Sequence, residues 1–410
     1  MISTEELTRI INEEKILTKA QIGVIREKYL TEIMPFLNRK EVIIIKGIRR
    51  SGKSTIMKQM MDELVKKGTG IVDILYINLE DYRLIDHLDL QLLEQLLEFR
   101  ANQNARFYLF IDEVQLISKW EKWVRTHYDK NKNIKFIISG SCASLLDKEY
   151  AIALTGRNIT FQIKPLSFTE FIIFKKDRKP EKLLKEYLEL GGFPEVVLEE
   201  NIEMKKRLLK QYMDDILNKD IINRHNVRDA KQVLLLAKYL TSNVGQKISF
   251  NKIAKAFGLS VETVIHYIQY MIDAYLINEV PFHSYSIKVK YDQKKQPKYY
   301  IADNGLINIM DIEFSRNLNK KYENAVFLKL SEKYNLTYWQ DENEVDFIFE
   351  NTGINVTAAD KIAARELEGL KKLKERDKNI KTTLLVTPNT SKQEGKINII
   401  PLLNFLICSI

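Results

Sequence analysis

The chain has 410 residues, too many for one hydrophobic core, so roughly two to four domains are expected. Hydrophobic residues make up 45% and charged residues 29%, as in soluble globular proteins, and the net charge of +9 permits a nucleic acid or anionic partner without requiring one. Cys142 and Cys408 lie far apart with no CxxC and no His/Cys cluster, which excludes a structural zinc site and points to a reducing compartment. The acidic start MISTEELTRIINEEK is unlike a signal peptide, and the apolar stretch Ile397–Ile410 is broken by Asn398, Pro401 and Asn404, so a cytoplasmic protein with no membrane span is expected.

Residues 1–38 read as helical, with Ile22, Ile25, Tyr29, Ile33 and Phe36 at helical spacing and a capping box at Ser3 and Glu6. From 39 to 165 strands and helices alternate. Strands are predicted at Val42–Lys46, Ile71–Asn78, Phe107–Asp112, Ile134–Ser139 and Ile159–Ile163. Apolar strands between helical segments indicate a parallel sheet covered on both faces, whose ligands sit beyond the carboxyl ends of the strands.

The first of these strands runs into Gly47-Ile48-Arg49-Arg50-Ser51-Gly52-Lys53-Ser54-Thr55, which is G-x-x-x-x-G-K-[ST] between a strand and a helix. The glycines let backbone N–H groups turn inward, and with the positive end of the next helix these cradle a polyphosphate. Lys53 would reach the β- and γ-phosphates and Ser54 would sit on Mg²⁺. The third strand ends in Asp112-Glu113. Asp112 would hold Mg²⁺ and Glu113 would activate the attacking water, as a hydrolase needs and a mere nucleotide binder does not. Ser139, with Ser141 as fallback, closes the next strand and either senses the γ-phosphate or makes a small-residue turn. Arg157, in Leu154-Thr155-Gly156-Arg157, is either a surface residue or one that steadies phosphoryl charge, in cis or towards a neighbouring subunit. Asn131-Lys132-Asn133-Ile134 lacks the aspartate of an NKxD guanine reader, which favours ATP over GTP.

GIRRSGKST, the strand ending IDEVQ, then SGS, LTGR, PLSFTEF and GGFPE resemble in order and spacing a family of prokaryotic AAA-type ATPases over nearly the whole chain. The family's C-terminal domain carries only a label of unknown function. The resemblance implies that Arg49 and Arg50 belong to the phosphate loop and that Arg157 senses nucleotide.

Residues 166–230 read as a helical lid, with Gly191-Gly192 and Pro194 at a tight connection. Residues 231–299 read as a winged helix. Ser249 opens FNKIAKAF, Gly258-Leu259 turns, and Ser260 caps VETVIHYIQYMIDAYLI. The wing, Ser284–Tyr300, carries Lys288, Lys290, Lys294, Lys295 and Lys298, which suits non-specific contact with duplex DNA; a protein partner is the alternative. Residues 300–410 read as a small α/β domain whose order, with Glu344-Val345-Asp346-Phe347, resembles the restriction-endonuclease-like PD-(D/E)xK fold. Glu323 and Asp346 fit its first two acidic positions. The E-x-K element falls on Asn355-Val356-Thr357, where both charges are missing, so a degenerate site is expected unless Lys361 or Arg365 reaches it. The expected function is a Mg²⁺-dependent ATPase coupled to these modules on DNA. The alternatives are an ATP-dependent switch or scaffold for protein partners or a homo-oligomer and, against the lost E-x-K, an ATP-gated nuclease.

Overall fold

The computed structural model describes residues 2–15, 17–100, 105–130, 133–141, 154–176, 179–284, 296–310 and 318–408. The chain divides into two compact units, Met1–Lys164 and Pro165–Ile410.

The first unit opens with helices α1 (Thr4–Lys15), α2 (Lys19–Ile22) and α3 (Glu27–Ile33). Ser3 Oγ accepts the Glu6 N–H at the start of α1, as its spacing predicts. Strand β1 (Val42–Lys46) leads into α4 (Lys53–Lys66). Then come β2 (Ile74–Asn78), α5 (Leu90–Glu98), β3 (Phe107–Asp112), α6 (Trp120–Lys130), β4 (Ile134–Gly140) and β5 (Asn158–Gln162). Ile71–Asp73, expected as the start of the second strand, is a 3₁₀ turn. All five strands are parallel, in the order β2-β3-β4-β1-β5. Their side chains alternate between two cores. Val42 and Ile44 of β1, with Phe107, Leu109 and Ile111 of β3, pack among the side chains of α1, α5 and α6. Ile43 and Ile45, with Tyr108 and Phe110, pack against α3 and α4. This two-sided burial is why the strands are almost wholly apolar.

The second unit begins with α7 (Phe168–Lys175), α8 (Pro180–Leu190), α9 (Pro194–Leu198) and α10 (Ile202–Asp215), the last running into a π-helical turn at Ile216–Asn223. Next come α11 (Ala230–Ser242), α12 (Phe250–Phe257) and α13 (Val261–Asp273). Left-handed Gly258 separates α12 from α13 in a helix–turn–helix, and Ser249 and Ser260 cap the two helices as expected. The second helix is shorter than its apolar pattern predicts. Tyr275 takes a left-handed φ of 56°, and the chain turns into β6 (Ile277–Val280), which pairs antiparallel with β7 (Lys298–Ile301). Helices α14 (Asn304–Met310) and α15 (Leu318–Leu330) follow. The remaining strands are β8 (Thr337–Gln340), β9 (Glu344–Phe349), β10 (Thr352–Val356), β11 (Thr382–Thr387), β12 (Lys392–Glu394) and β13 (Ile397–Pro401). Helix α16 (Ala364–Arg376) lies between β10 and β11, and α17 (Leu402–Ile407) closes the unit. These strands form a mixed sheet in the order β12-β13-β11-β10-β9-β8, and Val345, Ile348 and Leu385 share a core with Leu367, Leu370 and Leu373 of α16. Of the apolar tail, Ile397–Ile407 is thus a strand and a helix of this domain.

The Gly191-Gly192 turn is a clasp. Asp303, wholly buried just before α14, accepts the Gly192 N–H at 2.6 Å and the Gly305 N–H at 2.8 Å. A Cβ on Gly191 would stand 1.7 Å from Asp303 Oδ1, so only glycine admits the carboxylate. Burial raises that carboxyl to about 7.

Candidate functional site

The carboxyl ends of β1, β3 and β4 meet at one edge of the first unit's sheet. Because β4 lies between β1 and β3, Ser139 falls level with Ile45 on one side and near Asp112 on the other. Gly47 begins the phosphate loop at φ 145°, and a Cβ there would stand 2.1 Å from the Ile163 carbonyl oxygen. The loop threads a gap that only glycine passes. Gly52, at φ 97°, is the left-handed residue that launches α4. Arg50 shares this positive φ at 67° without being glycine, a conformation the surrounding loop enforces. The buried Lys53 donates from Nζ to the carbonyls of Gly47 at 3.1 Å and Ile48 at 3.3 Å. The Ser51 hydroxyl is buried with no hydrogen-bond partner, a free donor inside a loop of inward-turned amides. Arg49 pairs with Glu80, beyond β2, at 2.8 Å. Thr55, on the first turn of α4, has its methyl 3.8 Å from the place a Cβ of Gly23 would occupy.

Asp112 and Glu113 are both buried. Glu113 takes a left-handed φ of 56°, rare for a non-glycine residue and a mark of a position under functional demand. Its carboxylate comes to 3.9 Å from Lys53 Nζ and accepts from Gln115 Nε2. Burial pushes the Glu113 carboxyl up, but Lys53, Gln115, Arg49 and Ser141 outweigh it and hold the group below its ordinary value, as an anion. Asp112 is pushed up by burial and by Glu113, against donors from Ser139, Ser54 and Tyr76. The contact between Asp112 and the Ser54 hydroxyl gathers two hard oxygens beside the loop, the donor chemistry a magnesium ion takes. No cluster of three or more His, Cys, Asp or Glu side chains fit for a metal occurs among the described residues.

This edge has the geometry of a nucleotide-phosphate site, and comparisons with known proteins agree. An AAA-domain family matches residues 39–172, and a domain of unknown function matches residues 181–320. An uncharacterized protein of Methanocaldococcus jannaschii is 36% identical over 363 residues, covering 83% of this chain and 79% of its own. One from Haemophilus influenzae is 33% identical over 344 residues, covering 81% and 84%. The chain belongs to the same family as these two proteins. Its first unit is an AAA-type P-loop ATPase fold. Among solved structures, the Walker-type ATPase of Pyrococcus abyssi aligns with a TM-score of 0.46 at 15% identity, over 72% of this chain and 96% of that one.

The structure gives partners to Ser139, Ser141 and Arg157. The Ser139 hydroxyl donates to Asp112 Oδ1 and accepts the Glu113 N–H at 3.2 Å, so it holds the two acids. Ser141, the fallback, lies within reach of Gln115 Nε2 at 3.5 Å. Arg157 stands at the wrong end of the sheet for a role in cis. Its carbonyl accepts the Val42 N–H, Asn158 is level with Val42, and its guanidinium pairs with Asp129 at 3.1 Å. The length of β1, about 15 Å at strand rise, separates it from the loop. Sequence reading missed Arg26, which is buried and donates to the Ser51 carbonyl at 2.9 Å and the Lys164 carbonyl at 3.1 Å. Tyr76, Glu80 and Gln115 were missed too. Of these, Gln115 lies inside the IDEVQ run and was open to detection.

In the second unit, Glu323 of α15, Glu344 and Asp346 of β9 and Lys298 of β7 converge. Lys298 was expected to touch DNA phosphates, but it is 1% exposed. Its Nζ lies 2.6 Å from Glu344, 3.2 Å from Asp346 and 3.4 Å from Glu323. Burial would pull its charge off, yet attraction from Glu323, Asp346 and Glu344 wins and holds it well above the ordinary lysine value. Burial and Asp346 raise Glu323 to about 8, although Lys298 and the Tyr300 hydroxyl at 2.5 Å oppose them. Asp346 Oδ2 accepts the Val356 N–H at 2.9 Å. Asn355 donates to the carbonyls of Glu344 at 3.1 Å and Glu366 at 2.9 Å, and its Oδ1 accepts the Asp346 N–H at 3.0 Å. The amide is spent on backbone, and Thr357 Oγ1 accepts the Ala359 N–H at 3.2 Å. Lys361 and Arg365 are exposed, and Arg365 pairs with Glu366. Lys288, Lys290, Lys294 and Lys295 lie outside the described residues.

Proposed function

We propose that this protein hydrolyses ATP in a magnesium-dependent reaction and transmits its nucleotide state to the second unit. The carrying observation is the buried triad of Lys53, Asp112 and Glu113 at the mouth of the phosphate loop, with Glu113 kept anionic beside Lys53. ATP phosphates would lie on the loop amides of residues 47–55 and the Ser51 hydroxyl. Lys53, now bonded to loop carbonyls, would exchange them for the phosphates. Ser54 and Asp112 would hold Mg²⁺, which neutralises charge on the phosphates when bound. Glu113 would take a proton from the attacking water, Gln115 steadying its carboxylate. Steady-state phosphate release from ATP tests this directly: turnover that requires Mg²⁺ supports it, and no turnover above background at any Mg²⁺ concentration refutes it.

For the second unit we propose a winged helix that meets duplex DNA without base specificity through Lys288, Lys290, Lys294 and Lys295. Four phosphate contacts predict a log–log salt slope of about −3.6. Binding without salt dependence, or binding unchanged when the four are neutralised, contradicts it. The exposed Val261 and Ile265 and the acidic Glu262 on α13 favour the alternative, a protein-binding switch, if DNA fails. The carboxylates around Lys298 we read as a nuclease-like fold without nuclease activity, because the lysine ammonium already answers their charge.

A further inference from the structure

Tyr76 occupies a place that the AAA motifs do not assign. In the pairing of β2 with β3, Tyr76 is level with Phe110 and Asn78 with Asp112. Tyr76 and Asp112 are therefore diagonal neighbours on one face of the sheet, within reach of a long aromatic side chain. The tyrosine hydroxyl donates to Asp112 Oδ2 at 2.7 Å. The Ser139 hydroxyl donates to the other oxygen, Oδ1. One donor on each oxygen fixes the plane of the carboxylate in a wholly buried site.

The ring of Tyr76 is itself held. Lys58 stands one turn beyond Ser54 on α4, so both side chains leave the same helical face. Ser54 meets Asp112, and the Lys58 ammonium lies over the Tyr76 ring, 5.2 Å from its centroid. Lys58 is anchored in turn by Glu14 of α1 at 2.9 Å.

We propose that Tyr76 is a positioning residue for magnesium: it holds Asp112 turned towards Ser54 so that the ion arriving with the nucleotide meets a pre-set pair of oxygens. This rests on the reading of the loop as an ATP site and adds to it a residue from the edge strand. A tyrosine serving only as packing would make the same ring contacts without the hydroxyl mattering. The two roles therefore separate on a single oxygen atom.

The test is nucleotide affinity of the full chain, measured with a fluorescent ATP analogue and competing ATP, once in EDTA and once in excess Mg²⁺. The wild type is expected to bind more tightly with Mg²⁺. Tyr76→Phe, which keeps the ring, is expected to leave the EDTA affinity within about twofold and to cut the gain due to Mg²⁺ by about tenfold, the worth of one hydrogen bond to a charged group. An undiminished gain overturns the proposal, as does an equal loss in both conditions, which marks general damage to the site. Ser139→Ala removes the donor on the opposite oxygen and is expected to show the same Mg²⁺-selective loss. Should Tyr76→Phe fail to fold, an unaltered gain in Ser139→Ala overturns the proposal. A wild type that binds no nucleotide in either condition refutes the ATP reading and this inference together, whereas a wild type with a Mg²⁺ gain that Tyr76→Phe retains refutes this inference alone.

Discussion

Two of the buried lysines, Lys298 and Lys53, sit beside carboxylates in different ways. Lys298 touches three carboxylates, and the oxygens beside them are met by a backbone N–H and a tyrosine hydroxyl. That cluster is complete in itself. Lys53 stays 3.9 Å from Glu113 and rests on two loop carbonyls, the Ser51 hydroxyl is unpartnered, and Glu113 and Arg50 hold left-handed backbone. We propose that this cluster receives the phosphates of ATP. The same residue types thus make a structural ion cluster in one unit and, as we propose, an ATP-hydrolysing edge in the other. What separates them is whether the lysine has already spent its charge.

The largest expected effect bears on the Lys298 cluster. Lys298→Met leaves the buried Asp346 and the partly buried Glu323 and Glu344 without their cation and should cost about 3–5 kcal/mol of folding stability. Chemical denaturation measures it, and a loss below about 1 kcal/mol would mean that the carboxylates relax into solvent. Lys53→Ala should cost less stability than Lys298→Met by the same assay, because Lys53 faces one carboxylate, Glu113 at 3.9 Å, and otherwise two loop carbonyls. It should weaken ATP binding by about 3 kcal/mol, roughly a hundredfold. Unchanged affinity would contradict the assignment of the loop. If both lysines proved equally important for folding, the contrast itself would fall.

A smaller effect concerns pH. The Glu323 carboxyl is raised to about 8 in the folded protein, above its value of 4.5 in the unfolded chain. Between those values the folded state binds a proton that the unfolded state has lost, so this residue makes stability fall as pH rises from about 4.5 to about 8. Glu323→Gln should flatten that part of the stability–pH curve relative to wild type. A curve of the same slope in both proteins would show that the proton resides elsewhere in the cluster.

Much of the first unit was legible in sequence because its requirements are local. A phosphate loop needs glycines at fixed spacing and a strand before it, and Asp112-Glu113 needs only to end an apolar strand, so contiguous residues carry both signals. What was not legible comes from a distance. Arg26 reaches the loop from 25 residues upstream of Ser51, and Tyr76 is 36 residues from Asp112, with nothing in their own neighbourhoods to mark them. The place of Arg157 was not legible because a motif gives chain order, and only strand register says which end of the sheet a residue occupies. Lys298 was misjudged because a basic, alternating stretch resembles an exposed wing, whereas all four residues of β7 are buried. In the same way the absence of charge at Asn355 and Thr357 was visible, but not that Lys298 of another strand pairs with Glu344 and Asp346.

The central claim is that the Lys53 cluster is the working one and that Glu113 activates water there. Phosphate release from Mg·ATP by wild type and Glu113→Gln, at nucleotide concentrations that saturate both, tests it most directly. Unaltered ATP binding with turnover reduced by at least about a hundredfold is expected in Glu113→Gln. Turnover near the wild-type rate would contradict it.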